Sequence, residues 1–306
     1  MSLFSVPAAL LAAALVLALA PSSAGATESP SYTAYFQGNY LTALKLAEQE
    51  AAQGSKEAFT LMGEIYSEGL GVAQDLNKAA DAYAKAADLG DANAQFSLGT
   101  LVAEGRGVKK NLRLAADLFE KAAQSGHASA EYNLALIYLN GNGRPADEAK
   151  AAEWMQKAAE QGHPPAEYDL GALYQFGRGV PIDKAKAAEW TGKAADAGYP
   201  EAQVEYGVML FKGEGVAVDE QRAAKLFRLS AEQGNPVAQN RLARLYANGV
   251  VVKADPVEAA KWHLLARTAG VSDFSLDILL AKLTKDERAK AEKLADDWRN
   301  GRLTEQ

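Results

Sequence analysis

Alanine stands at positions 58, 94, 130, 166, 202 and 238, a period of 36 residues without a slip. Glycine keeps the same period at 54, 90, 126, 162, 198, 234 and 270, and the pair Ala79-Ala80 returns at 115–116, 151–152, 187–188, 223–224 and 259–260. A period of this length, held in phase, is the mark of a tandem array. Each unit then buries its apolar face against its neighbours, and stability is a sum over adjacent pairs.

Each unit reads as a helical hairpin. In Ala166–Phe176, AEYDLGALYQF, the residues Leu170, Gly171, Leu173 and Tyr174 fall on one helical face. A G-x-G turn follows, at Gly69/Gly71, Gly105/Gly107, Gly141/Gly143, Gly177/Gly179 and Gly213/Gly215, and in the sixth copy Gly249 is followed by Val250 and Val251. Glycine is the usual helix stop. A second helix starts after Asp75, Asn111, Asp147, Asp183, Asp219 or Asp255, residue types that accept the orphan N–H groups of a helix start. Pro256 suits a first helical position.

Glycine-rich turns that open a helix can cradle phosphate. Here the turn occurs five times between helices, with no strand before it and no P-loop lysine, so it serves to turn the chain. The ends of the array look different from its middle. Ser31 to Gly54 has a shorter turn at Gly38-Asn39, and Asp273 to Leu283 leaves the repeat pattern. Thr284 with Glu287 then makes a capping box for a last helix through Trp298.

The full pattern, A-x3-L-G-x2-Y-x2-G-x-G-V-x2-D-x3-A-A-x-W-x3-A-A-x2-G, resembles the Sel1-like repeat family, relatives of the tetratricopeptide repeats. The resemblance implies an all-α fold, a right-handed α/α superhelical solenoid of helix-turn-helix repeats. It also implies an adaptor or scaffold for other proteins, and bacterial members are often exported and act in the envelope. The organisation expected on this basis is a signal peptide at 1–26, a tetratricopeptide-like capping hairpin at 27–57, six repeats at 58–273 and capping helices at 274–306. One cysteine-rich branch of the family is linked to binding β-lactams, and this chain, which has no cysteine, departs from it.

The formal charge of −7 gives no electrostatic footprint for nucleic acid or anionic lipid. Without cysteine there is no disulfide, thiolate metal site or thiol nucleophile. Ala8 to Ala20 is an uncharged apolar run of signal-peptide length, followed by the small-x-small pattern Ala24-Gly25-Ala26, although Met1 to Pro7 holds no Lys or Arg. The expectation is export to the periplasm or beyond with no stable membrane insertion after cleavage, an uncleaved anchor being the alternative.

Candidate chemistry is sparse. His127 and His163 share one repeat position with Asp91, Tyr199 and Asn235, where the next helix begins, and a metal there lacks an evident third ligand. His263, beside Trp262, reads as a surface or packing residue. The helix-start aspartates recur in every unit and read as caps, and the serines have no nucleophile elbow or partnered histidine. No catalytic residue, cofactor site or metal site is expected. Trp154, Trp190 and Trp262 share a position with Ala82, Leu118 and Leu226, which points to packing rather than an aromatic cage.

Positions that vary between units are the ones the fold does not dictate. On the first helix of each hairpin one row reads Glu64, Thr100, Leu136, Ala172, Val208, Arg244. A second reads Ser67, Ala103, Leu139, Gln175, Phe211, Ala247, and a third Glu68, Glu104, Asn140, Phe176, Lys212, Asn248. The middle units turn apolar at Leu136, Leu139, Phe176, Val208 and Phe211, which makes these the candidate partner-binding residues. Packing against neighbouring helices is the competing explanation, and it applies equally to Phe96, Tyr132 and Tyr168. The reading is a non-enzymatic scaffold that binds protein partners in the bacterial envelope, regulating a sensor kinase or polysaccharide machinery in one version. The alternative is a cell-wall protein that binds peptidoglycan or β-lactams.

Overall fold

The computed structural model describes residues 29–303, so the proposed signal peptide lies outside the described residues. Two compact units meet in sequence at Asp147 and Glu148. The first holds α1 (Pro30–Phe36), α2 (Tyr40–Ala51), α3 (Lys56–Glu68), α4 (Leu76–Asp88), α5 (Ala92–Glu104), α6 (Leu112–Gln124) and α7 (Ala128–Asn140). The second holds α8 (Glu148–Glu160), α9 (Pro164–Phe176), α10 (Lys184–Asp196), α11 (Pro200–Lys212), α12 (Glu220–Glu232), α13 (Pro236–Asn248), α14 (Pro256–Thr268), α15 (Phe274–Lys282) and α16 (Lys285–Leu303). Among the described residues every element is a helix.

The repeat chemistry explains the boundaries. Asp75, Asn111, Asp183, Asp219 and Asp255 each accept backbone N–H bonds from the first turn of the helix they precede. The first helix of each of the six repeats ends on a left-handed glycine, with φ between 64° at Gly249 and 77° at Gly105. The second glycine of the turn serves another purpose. A β-carbon on Gly107, Gly179 or Gly215 would overlap the carbonyl oxygen of Leu76, Glu148 or Lys184, the first residue of the preceding hairpin's second helix. Consecutive hairpins therefore touch backbone to backbone. The sixth copy has no glycine there, and Val251 holds φ at 66°, the one non-glycine residue with positive φ among those described.

Inside a hairpin a large side chain fills the space left by a missing one. The ring of Tyr83 lies on Gly63, that of Phe119 on Gly99 and that of Phe227 on Gly207, while Thr191 faces Gly171. Buried alanine pairs such as Ala79-Ala80, Ala187-Ala188 and Ala223-Ala224 keep the helices close. Between hairpins, the buried Gln95, Gln203 and Gln239 donate their side-chain amides to the carbonyls of Ala87, Ala195 and Ala231 at 3.2, 3.4 and 3.3 Å.

Both ends of the array close differently. Ser31 donates its backbone N–H and hydroxyl to the Glu50 carboxylate at 3.0 and 2.5 Å, tying α1 to α2. At the other end Thr284 and Glu287 form the reciprocal capping box, with Thr284 N–H to Glu287 Oε2 at 2.9 Å and Glu287 N–H to Thr284 Oγ1 at 3.3 Å. The helix it starts runs on to Leu303, past the Trp298 boundary read from sequence. Trp298 lies edge-on to Trp262, ring centroids 6.0 Å apart.

Candidate partner-binding face

The first helix of each hairpin turns its fully buried stripe, such as Leu170, Gly171, Leu173 and Tyr174 on α9, toward the core. The variable rows lie beside that stripe, and the structure sorts them by depth. In the first unit, Glu64 accepts the Tyr35 hydroxyl at 2.7 Å, and burial pushes its carboxyl above the ordinary range. Ser67 is buried against the Tyr83 hydroxyl, and Leu136 and Leu139 on α7 are half-buried.

In the second unit, Val208 and Phe211 on α11 are half-buried, and Phe211 stacks on Phe227 of its own hairpin with centroids 6.4 Å apart. Phe176 is different: it ends α9, just before the capping Gly177, and is 49% exposed. Its row is the outermost of the three, with Glu68, Asn140, Lys212 and Asn248 all exposed. Of the five candidates Phe176 alone presents a large apolar surface to solvent.

The remaining candidates take structural places. His127 and His163 cap α7 and α9, their Nδ1 atoms accepting the N–H of Ala130 and Ala166 at 3.2 and 3.3 Å. Asp91 and Asn235 do the same for α5 and α13. Burial pulls the His127 imidazole pKa down. Phe96 stacks on His127 at 4.6 Å and Tyr168 lies 5.6 Å from Tyr199, so this aromatic position packs on the cap of the following repeat.

His263 has no exposed surface and meets Asp277 at 2.8 Å through Nε2. It occupies the repeat position of Tyr83, Phe119 and Phe227, which makes it a packing residue. Trp262 is buried at 4% exposure, as the packing reading requires.

Trp154 and Trp190 depart from that reading. They are half-exposed, and the ammonium groups of Lys157 and Lys193 lie 3.8 and 3.7 Å over their rings. The shared E-W-x-x-K spacing carries the signal, since a lysine one turn on reaches the ring face while pairing with Glu153 or Glu189 at 3.0 and 2.9 Å. Among the described residues no three His, Cys, Asp or Glu side chains gather as metal ligands, and no helix is long and apolar enough to cross a membrane.

Residues 58–91, 92–127, 128–163, 164–199, 200–235 and 236–271 each match the Sel1 repeat. The chain is similar to a protective antigen of uropathogenic Escherichia coli with an SLR fold, at 32% identity and a TM-score of 0.77 over 87% of this chain. It spans 60% of that antigen's length. It is also similar to a Sel1 repeat protein from Oxalobacter formigenes, at 31% identity and a TM-score of 0.70, covering 79% of this chain and 97% of the other. No curated protein matches significantly. With six consecutive repeats matched and two solved Sel1-type structures aligned, the chain belongs to the Sel1 repeat family, whose repeats generally mediate protein–protein interaction.

Proposed function

We propose that this protein is an exported, non-enzymatic adaptor that binds a protein partner in the bacterial envelope through the variable face of its first-of-hairpin helices. Phe176 carries the proposal: it is a large, half-exposed apolar side chain in the outermost variable row, where the repeat itself asks for no apolar residue. Neighbouring repeats place Asn140 and Lys212 in that position. Aromatic side chains of this kind anchor interfaces when a polar rim surrounds them. The apolar run at Ala8 to Ala20 with Ala24-Gly25-Ala26 behind it supports export to the periplasm. A regulator that docks on a membrane sensor kinase or on polysaccharide machinery is the concrete version of this role.

Affinity capture from envelope extract tests it, with the full chain and its Phe176→Asp variant as parallel baits. The expected result is a protein retained by the first bait and lost with the second, the helical circular-dichroism signal being equal. A partner held equally by both baits removes Phe176 from the interface. Retention of peptidoglycan fragments with no protein recovered overturns the adaptor reading in favour of a cell-wall role.

A further inference from the structure

Glu167 stands where three other repeats have glutamine and a fourth has the equally buried Glu131. Gln95, Gln203 and Gln239 are buried, and each donates its amide to the carbonyl eight residues earlier, at the end of the preceding hairpin's second helix. The equivalent carbonyl for Glu167 is that of Ala159, on α8. Glu167 is equally buried, at 7% exposure, and its Oε2 has no hydrogen-bond partner. A carboxylate has no proton to give, whereas a carboxylic acid has one.

We propose that Glu167 makes the α8–α9 joint proton-sensitive: the neutral acid donates to the Ala159 carbonyl as glutamine does elsewhere, and the carboxylate cannot. In the ionised state the joint holds a buried charge, and the Ala159 carbonyl lacks the side-chain donor that Ala87, Ala195 and Ala231 have, both of which weaken the stack.

The surroundings are consistent with this. Burial pushes the Glu167 carboxyl above the ordinary range, and the charge acting against that is Lys193 on α10. The Lys193 ammonium is itself engaged by Glu189 at 2.9 Å and by the Trp190 ring. The end of α8 contributes the buried Ala158 and Ala159, its Lys157 being paired with Glu153. One turn before Glu167, at the N-cap of α9, His163 accepts the Ala166 N–H through Nδ1, and the helix itself carries Tyr168, Asp169 and Tyr174. With the folded-state pKa raised, the joint is tightest in acid and loosens as pH rises through that pKa.

The test is urea denaturation of the full chain, of Glu167→Gln and of Gln239→Glu from about pH 4.5 to about pH 8. Glu167→Gln is expected to unfold at higher urea than the natural chain at the upper pH, with the gap closing toward the lower. Gln239→Glu is expected to lose stability over the same range, which places the effect in the repeat position rather than in one local environment. A Glu167→Gln gap that is constant with pH, or a natural chain more stable than the variant at pH 8, overturns the proposal. So does a Glu167 carboxyl carbon that titrates by NMR in the ordinary carboxylate range.

Discussion

The ring of Phe227 lies 2.6 Å from where a β-carbon on Gly207 would stand, with the two residues on the two helices of one hairpin. A ring in a helix–helix contact has no free end to swing aside. Gly207→Ala gains about 1 kcal/mol in helix propensity but forces the two helices apart. Overpacking of this sort costs about 1–3 kcal/mol. The variant is expected to be less stable by urea denaturation, and Phe227→Leu in the same chain should restore part of the loss. A stabilised Gly207→Ala protein would show that the hairpin has slack the structure does not display.

The cap of α7 is a titrating group. His127 accepts the Ala130 N–H through Nδ1, so that nitrogen must be unprotonated, and burial holds the imidazole pKa below its ordinary value. The unfolded chain therefore binds this proton more readily than the folded one. The cap's contribution is complete above about pH 6.5 and is lost as pH falls through the folded-state value. Losing a helix cap costs about 1 kcal/mol. His127→Asn keeps an acceptor that does not titrate, so the difference in thermal midpoint between the two proteins is expected to shift toward Asn on going from pH 7.5 to about pH 5.5. A difference that does not move with pH would mean that the imidazole is not the cap in solution.

These two residues also show where sequence reading stops. The capping aspartates declare their roles because the same residue type returns at the same phase, whereas the phase of Gly207 holds alanine at 135 and 243 and its role is set by the Phe227 ring it faces. Side-chain depth is not set by phase alone. Phe211 and Phe176 are adjacent rows on neighbouring hairpins, yet Phe211 lies half-buried on Phe227 while Phe176 stands out, because depth depends on what the facing helix offers. Trp154 and Trp262 share a phase and differ in burial for the same reason, α16 bringing Trp298 against the latter. His127 and His163 were recognisable as helix-start residues, but their cap bonds use a ring nitrogen, a less usual acceptor at that place than the Asp and Asn of the other repeats.

The last helix depends on a two-residue device. Thr284 and Glu287 exchange hydrogen bonds at the start of α16, and the bonds from the Thr284 N–H and hydroxyl hold the Glu287 carboxyl below the ordinary range. Thr284→Ala removes the acceptor for the Glu287 N–H. In a repeat array each end frays on its own, so the effect should stay local. Hydrogen exchange of the amides in Lys285–Leu303 is expected to quicken about fivefold, with those of α9 and α11 unchanged. Uniform acceleration through the second unit would instead show that α16 is integral to the array's cooperative core.

Val251 is the point at which the glycine pattern of the repeat is broken. In earlier repeats the residue there is glycine, partly for its positive φ and, at Gly107, Gly143, Gly179 and Gly215, partly because a β-carbon would strike the carbonyl that opens the preceding hairpin's second helix. Val251 keeps the positive φ, 66°, and brings a β-branched side chain with it. For a branched residue this backbone region is a genuine outlier, and such strain amounts to about 1–3 kcal/mol. Val251→Gly releases it but gives the unfolded chain more freedom, a loss of about 0.5–1 kcal/mol. The balance favours glycine by about 1 kcal/mol, to be read as a higher urea midpoint at unchanged slope. If the variant is instead less stable, the Val251 side chain contributes packing at the α13–α14 turn that outweighs the strain, and the sixth repeat has traded backbone comfort for a contact.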